Sequence, residues 1–195
     1  MKLRREIPAD IREIRTLTDA AFADAPHSSG TEGAIIDALR AEQQLALSLV
    51  AVDAGRLVGH IAFSPVTISD GAAGWYGLGP MAVRPGDQGR GIGSALVTEG
   101  LRHLVRIGAH GCVVLGDPAF YGKFGFAPVP ALRFDGAPAE YFMARSFVPP
   151  CPRARFVITR PFTVRNNPIS DHKLARLSLS IHVITGFVQQ SGPNS

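Results

Sequence analysis

A glycine-rich turn, Gln88-Gly89-Arg90-Gly91-Ile92-Gly93-Ser94, constrains this chain more than any other stretch. It follows an apolar, strand-like run over residues 78–83 and precedes an amphipathic segment with helical spacing. Glycines at three of five positions free the backbone to curl and to bring its N–H groups close to a ligand. The first turn of the helix adds unpaired N–H groups and the positive end of its dipole. The segment therefore predicts a site for a phosphate or pyrophosphate.

The glycine spacing separates this turn from two other phosphate-binding motifs. The chain contains no G-x-x-x-x-G-K-[ST], and glycines at 89, 91 and 93 do not fit G-x-G-x-x-G. They fit Q-x-x-G-x-G, counted from Gln88. A turn that merely joins a strand to a helix has a similar composition, because glycine is common in tight turns. On this motif alone, a phosphate site and a plain connection both stay open.

Hydrophobic periodicity places helices and strands along residues 2–148. We expect helices from Pro8 to about Phe22, from Thr31 to about Ala41 and from Ile92 to near Gly108, with a short one over 119–123. Strands are expected over six segments: 2–7, 45–52, 56–66, 75–83, 112–115 and 141–148. The order predicts an α/β (α+β) fold with a mixed, mostly antiparallel sheet and helices on both faces.

The strand over residues 75–83 is expected to part from one neighbour. It contains Gly79-Pro80, and proline cannot donate a ladder hydrogen bond, so the pair indicates a β-bulge. The helix after the glycine turn leads to the apolar strand 112–115, a strand–helix–strand unit that predicts parallel neighbours. A bulge beside a parallel neighbour would splay the pair and leave backbone groups unpaired. An edge strand that ends early is the alternative.

Composition bounds the class of protein and the place where it works. The chain has 195 residues, enough for one domain with a substantial core, and we expect that domain to span residues 1–149. The net charge of +4 comes from residues 150–195, which carry six Lys/Arg and one acidic residue, so no basic face for nucleic acid is indicated. No apolar run is long enough to span a bilayer, and no signal peptide is evident. Two cysteines give no disulfide framework or zinc spacing. We expect a cytoplasmic protein that binds neither nucleic acid nor membrane, with a basic extension at 150–195 that ligand binding does not require.

Two segments together resemble the GNAT superfamily of acyl-CoA-dependent N-acetyltransferases. The first is Leu78-Gly79-Pro80-Met81-Ala82-Val83 with the glycine turn, and the second is Leu115-Gly116-Asp117-Pro118-Ala119-Phe120-Tyr121-Gly122-Lys123-Phe124-Gly125-Phe126. The agreement in element order covers roughly three quarters of the chain. It is similar in particular to the bacterial YhbS-like branch. The resemblance implies a GNAT-like sheet with a splayed parallel strand pair, acetyl-CoA as co-substrate, no metal, and direct acetyl transfer to a primary amine of a small molecule or protein.

The resemblance also implies which residues bind the cofactor. Backbone N–H groups of the glycine turn would hold the pyrophosphate, and the splayed strand would pair its main chain with the pantetheine arm. A backbone N–H of that strand would also polarise the thioester carbonyl. Aromatic residues of the second segment would form a wall of the site. The expected cofactor-binding residues are Met81, Ala82, Val83, Gln88, Gly89, Arg90, Gly91, Ile92, Gly93, Ser94, Asp117, Phe120, Tyr121 and Phe124.

Tyr121 is the expected catalytic acid. A phenol with a pKa of about 10 stays protonated at neutral pH and can donate to a departing thiolate. Members of the superfamily place a tyrosine of this segment beside the CoA sulfur. The alternative is an ordinary half-buried aromatic residue among Phe120, Phe124 and Phe126.

The general base is less defined, because a chain of water molecules can also remove the proton from an amine. Glu32 lies between the first two predicted helices, a region that borders the acceptor site in such enzymes. A carboxylate at a helix N-terminus is its structural alternative. Asp117 ends a strand but also suits a turn, and His60 fits a strand residue whose ring is satisfied.

Other functions stay open on the sequence. A non-catalytic acyl-CoA-binding or sensor protein would use the same fold without turnover. A nucleotide-binding protein would use the glycine turn without CoA. No acidic or aromatic pattern in residues 23–45 or 127–148 identifies an acceptor, and pairing of a C-terminal strand makes a homodimer possible.

Overall fold

A computed structural model describes residues 1–23, 30–68, 70–130, 132, 134 and 138–148. The predicted extension over 150–195 lies outside the described residues. A 3-10 turn, Pro8–Asp10, leads into the first of four helices: α1 (Ile11–Phe22), α2 (Glu32–Ala41), α3 (Ile92–Arg106) and α4 (Pro118–Tyr121). The strands are β1 (Lys2–Arg5), β2 (Leu47–Asp53), β3 (Arg56–Val66), β4 (Trp75–Val83), β5 (Gly111–Leu115), β6 (Ala127–Pro128) and β7 (Phe142–Ser146).

These strands form one mixed sheet in the order β1-β2-β3-β4-β5-β7-β6. Every described pair is antiparallel except β4 and β5, which are parallel and joined through α3. The sequence predicted both the antiparallel meander β2-β3-β4 and the parallel crossover, and the structure confirms them. The two-residue strand β6 was not predicted, because Ala127-Pro128 carries no strand pattern of its own and pairs only at the edge, with β7.

The helices cover both faces of the sheet, as predicted. On one face α1 and α2 pack on strand residues that include Val50, Leu57 and Ala82. On the other face α3 packs on a larger core. Alternation of side chains along β2, β3 and β4 supplies both cores at once, which is why these strands are apolar almost throughout. Among the described helices, none has the length and hydropathy that crossing a membrane requires.

The predicted bulge and splay both lie in β4. In the register with β3, Ile61 faces Met81 and Phe63 faces Leu78, so two residues of β4, Gly79 and Pro80, stand opposite one residue of β3. The parallel pairing with β5 covers only the first three residues of β4, 75–77. The rest of the strand, from residue 78 onward, has β3 on one side and no β5 partner on the other, so the parallel pair ends just before the bulge.

Candidate functional site

An open groove lies where β4 ends and α3 begins. It is bordered by the end of β4, the glycine turn, the first turn of α3 and one ring of α4. Its lining residues are Val83, Gln88, Gly89, Gly91, Ile92, Gly93, Ser94 and Phe120. All eight belong to the set expected to bind a cofactor. The groove therefore joins the two sequence segments that carry the resemblance, although Phe120 lies 26 positions after Ser94 in the sequence.

The glycine turn has the backbone conformation that its composition predicted. Gly89 and Gly91 have φ values of 75° and 78°, the left-handed region that glycine enters without strain. Gly91 is the residue that caps α3, and its carbonyl accepts from the N–H of Ala95 at 3.0 Å. A β-carbon placed on either glycine would meet no atom within 4 Å, so the space above the turn is open. The first N–H groups of α3 have no partner within the helix and suit an anion in this space.

Gly93 lets the groove wall close at the start of α3. A β-carbon there would lie 3.5 Å from Cε of Met81 and 3.6 Å from Cζ of Phe120. The helix thus sits directly over the end of β4 and beside the aromatic ring of α4. Met81, Ala82 and Val83 are buried, and they lie in the part of β4 that has no β5 partner. Their main chain on that side is the free strand edge that an extended ligand arm needs.

The polar side chains of the turn are tied to the protein. The guanidinium of Arg90 pairs with Asp87 at 2.5 Å and with Asp53 at 3.0 Å. Asp53 also pairs with the N-terminal ammonium at 3.3 Å, and these cations lower its pKa. Gln88 donates from Nε2 to the carbonyl of Val83 at 3.4 Å, across the turn. Arg90 therefore braces the turn from outside, and it does not line the groove.

Tyr121 lies behind the groove wall. Its ring is fully buried, 4.9 Å from the ring of Phe120 between centroids and perpendicular to it. The ring also lies against the backbone of Gly116, where a β-carbon would come within 2.2 Å of it. Its hydroxyl oxygen has no hydrogen-bond partner among the described residues. Burial raises the pKa of Tyr121 above its usual value, so the phenol keeps its proton. Phe124 is half-buried and packs on Phe120, with 5.3 Å between ring centroids.

The two candidate carboxylates both lie at helix N-termini. Asp117 precedes α4, and its side chain accepts from the N–H of Ala119 at 2.9 Å, which is an N-cap. Glu32 is the first residue of α2 and is buried, with 1% of its surface exposed. Because α2 packs against β4, Glu32 belongs to the layer opposite α3. The structure shows that Asp117 caps α4, while its cofactor contact and the catalytic role of Glu32 stay predictions.

Sequence patterns did not reveal a buried polar network on the α1–α2 face. His60 is fully buried on β3, and its Nε2 lies 2.8 Å from the hydroxyl of Ser48 on β2. Ser48 donates to Glu6, whose carboxylate also pairs with Arg40 of α2 at 2.9 Å. Because Ser48 donates its proton to Glu6, its oxygen accepts a hydrogen bond from Nε2 of His60. Nδ1 of His60 then carries a lone pair and has no hydrogen-bond partner among the described residues. Burial lowers the pKa of His60 to about 4.

Fold and groove together are typical of a class of protein in which an open helix N-terminus lies beside a splayed pair of parallel strands. Comparison with known proteins identifies the family. The acetyltransferase (GNAT) domain matches residues 44–128. The N-acetyltransferase YhbS of Escherichia coli K12, itself uncharacterized, is 39% identical over 127 residues, which are 65% of this chain and 73% of YhbS. The chain belongs to the GNAT acetyltransferase family and is an N-acetyltransferase.

Two solved structures agree in fold. A GNAT acetyltransferase from Brucella melitensis in complex with acetyl-CoA has a TM-score of 0.70 and 47% identity, over 78% of this chain and 92% of that one. YhbS from Escherichia coli in complex with CoA has a TM-score of 0.68 and 35% identity, over 74% and 80% of the two chains. The GNAT-like fold predicted from the two sequence segments, and the similarity to the YhbS-like branch, are confirmed.

Proposed function

We propose that this protein transfers an acetyl group from acetyl-CoA directly to a primary amine, and that the groove at the start of α3 holds the cofactor. The observation that carries the proposal is the junction of an open glycine turn, a helix N-terminus and a free β4 edge in one groove. Acetyl-CoA or CoA is bound by the two similar enzymes of known structure. When bound, acetyl-CoA supplies an activated thioester.

Each part of the groove has a task in this proposal. The N–H groups of residues 89–94 donate to the pyrophosphate, at the positive end of the α3 dipole. The main chain of residues 81–83 pairs with the pantetheine arm, and an N–H of the same strand polarises the thioester carbonyl. Phe120 forms the wall opposite the glycine turn, with Phe124 behind it. Arg90 holds the turn in shape through Asp53 and Asp87.

We propose that Tyr121 is the acid that protonates the leaving thiolate. Its proton is retained at neutral pH, and its hydroxyl has no acceptor among the described residues. A buried donor without a partner costs stability. The Tyr121 hydroxyl therefore suits a donor that finds its acceptor only in the complex with acetyl-CoA. Glu32 is the proposed base on the acceptor side, from its buried position at the start of α2.

The acceptor is proposed as the amine of a small molecule or of a protein, and the place of work as the cytoplasm. We also propose that the protein forms a homodimer and that it binds neither nucleic acid nor membrane.

Amine-dependent release of CoA thiol tests the proposed activity. Acetyl-CoA is incubated with the protein and with polyamines, amino acids or lysine-containing peptides, and free thiol is measured against time. We expect at least one amine class to raise the rate above slow hydrolysis in water. Tight acetyl-CoA binding with no amine-dependent thiol would contradict acetyl transfer and favour a sensor.

A further inference from the structure

A cluster of three basic side chains lies between β1 and the last turn of α3. Nη2 of Arg5 is 2.9 Å from Nε2 of His103, and Nη2 of Arg106 is 2.9 Å from Nδ1 of the same ring. Arg5 and Arg106 are exposed, and His103 is half-buried. Two features indicate that an anion completes this arrangement. They are the hydrogen-bond chemistry of the His103 ring and the charge balance of the cluster.

The hydrogen-bond chemistry of the three side chains does not close on itself. A guanidinium only donates, and a neutral imidazole has one N–H and one lone pair. At most one of the two contacts to His103 is therefore a hydrogen bond, and the other brings two donors together. If the ring is protonated, both contacts are donor to donor. An anionic oxygen that accepts from both the ring N–H and the guanidinium facing it removes this donor-to-donor contact.

The charge of the cluster is also uncompensated. Most arginines in the described part of the chain pair with a carboxylate within 4 Å, namely Arg4, Arg15, Arg40, Arg56, Arg84, Arg90 and Arg102. Arg5, Arg12, Arg106 and Arg145 have no such pair among the described residues, and of these Arg5 and Arg106 both contact His103. Glu99, the carboxylate of α3 that acts on His103, is already held by Arg102 at 2.6 Å. Two arginines beside a neutral ring leave a local charge of about +2.

The helix dipole explains part of this cluster but not all of it. Basic residues near a helix C-terminus are stabilised by the dipole, which accounts for His103 and Arg106. It does not account for Arg5, which comes from β1 and adds its charge to the same ring. Nor does it explain why both nitrogens of the ring face donors.

We propose that Arg5, His103 and Arg106 bind a phosphate dianion at a site separate from the acetyl-transfer groove. The dianion matches the local charge, and a tetrahedral phosphate offers enough oxygens to reach three separate donor groups, whereas a carboxylate offers two. The site is distant from the groove because Ser94 and Arg106 are separated by about 18 Å of helix. Phosphate binding at this site does not depend on any residue of the proposed acetyl-transfer mechanism.

Phosphate titration followed by NMR of the His103 ring tests this site. Ionic strength is held constant with chloride at pH 7, and glycerol 2-phosphate is titrated in parallel with inorganic phosphate. We expect saturable shifts of His103 and a raised pKa of that ring, because the dianion stabilises the imidazolium in spite of Arg5 and Arg106. Tighter binding of glycerol 2-phosphate would indicate that the natural ligand is an organic phosphate. Equal binding of the two would indicate that it is free phosphate.

Matched variants separate a built site from general attraction. Arg5→Gln and Arg106→Gln should each weaken phosphate binding about tenfold, since one charged hydrogen bond is lost. Arg12→Gln removes the same charge from an exposed arginine of α1, on the other face of the sheet, and should weaken it less than threefold. An equal loss in Arg12→Gln, no saturable shift of His103 up to 50 mM phosphate (on the order of the weakest useful affinity), or displacement of phosphate by acetyl-CoA would overturn the proposal.

Discussion

Replacing Tyr121 by Phe separates catalysis from stability, because the two effects are expected to have opposite signs. The hydroxyl is fully buried and has no described partner, so its removal takes away an unsatisfied polar atom and nothing else. An unsatisfied buried donor costs about 1–3 kcal/mol. We therefore expect the free energy of unfolding to stay the same or to rise by about 1 kcal/mol.

The same substitution removes the proposed proton donor. Positioned acid catalysis contributes about 10²- to 10⁴-fold, which corresponds to about 3–5 kcal/mol of transition-state stabilisation. We expect kcat to fall by about that factor, and KM for acetyl-CoA to change little.

The assay combines steady-state thiol release with urea unfolding of the same preparations. Tyr76→Phe serves as the matched control, because it removes the same atom from a half-buried tyrosine in the paired part of β4. A Tyr121→Phe enzyme with kcat within threefold of the wild type, about the scatter expected of a neutral change, would refute the acid role and leave Tyr121 a packing residue.

Two further predictions concern the folded state. Burial lowers the pKa of His60 to about 4, so the folded protein keeps this ring neutral while the unfolded chain takes up a proton below about pH 6.5. The contribution of His60 to stability is therefore complete above that pH and is lost as the pH falls toward 4. Urea unfolding should give a loss of about 2 kcal/mol between pH 7.5 and 5, above the range where Glu6 and Asp10 titrate, and a His60→Gln variant that kept this slope would contradict the assignment. In α3, Gly100→Ala places a β-carbon 2.3 Å from the buried ring of Phe63, and thermal unfolding should show a loss of about 1–3 kcal/mol. Gly93→Ala, in the same helix with 3.5 Å to its nearest neighbour, should keep or gain stability, and equal losses in both would count against the packing argument.

The sequence predicted those parts of the fold that local pattern controls. The bounds of β4, the bulge at Gly79-Pro80 and the glycine turn before α3 follow from periodicity and from the backbone limits of glycine and proline, and the structure has all three. The burial of Tyr121 behind Phe120 could not be predicted, because it depends on how α4 folds back over Gly116.

Long-range polar contacts were equally hidden. Asp53 of β2 meets Arg90 of the glycine turn, and Glu6 reaches His60 through Ser48 across the sheet. No spacing rule links such residues, since their proximity is a product of strand register. That the backbone of Arg90 contacts the cofactor stays a prediction; the sequence did not reveal that its guanidinium is held by Asp53 and Asp87.

The central claim, that the start of α3 holds the pyrophosphate of acetyl-CoA, is tested most directly by calorimetry on Ser94→Asp beside Thr98→Asp. Ser94 is the third residue of α3 and lines the groove, whereas Thr98 is exposed one turn further along the helix. An acidic residue in the first turn stabilises a helix by about 0.3–1 kcal/mol, so Ser94→Asp should fold at least as well as the wild type.

A carboxylate about 4 Å from a phosphate charge costs about 4 kcal/mol near a protein surface, or roughly a thousandfold in affinity. We predict that Ser94→Asp abolishes measurable acetyl-CoA binding while Thr98→Asp binds like the wild type. Wild-type affinity in a folded Ser94→Asp protein would contradict the placement of the cofactor in this groove.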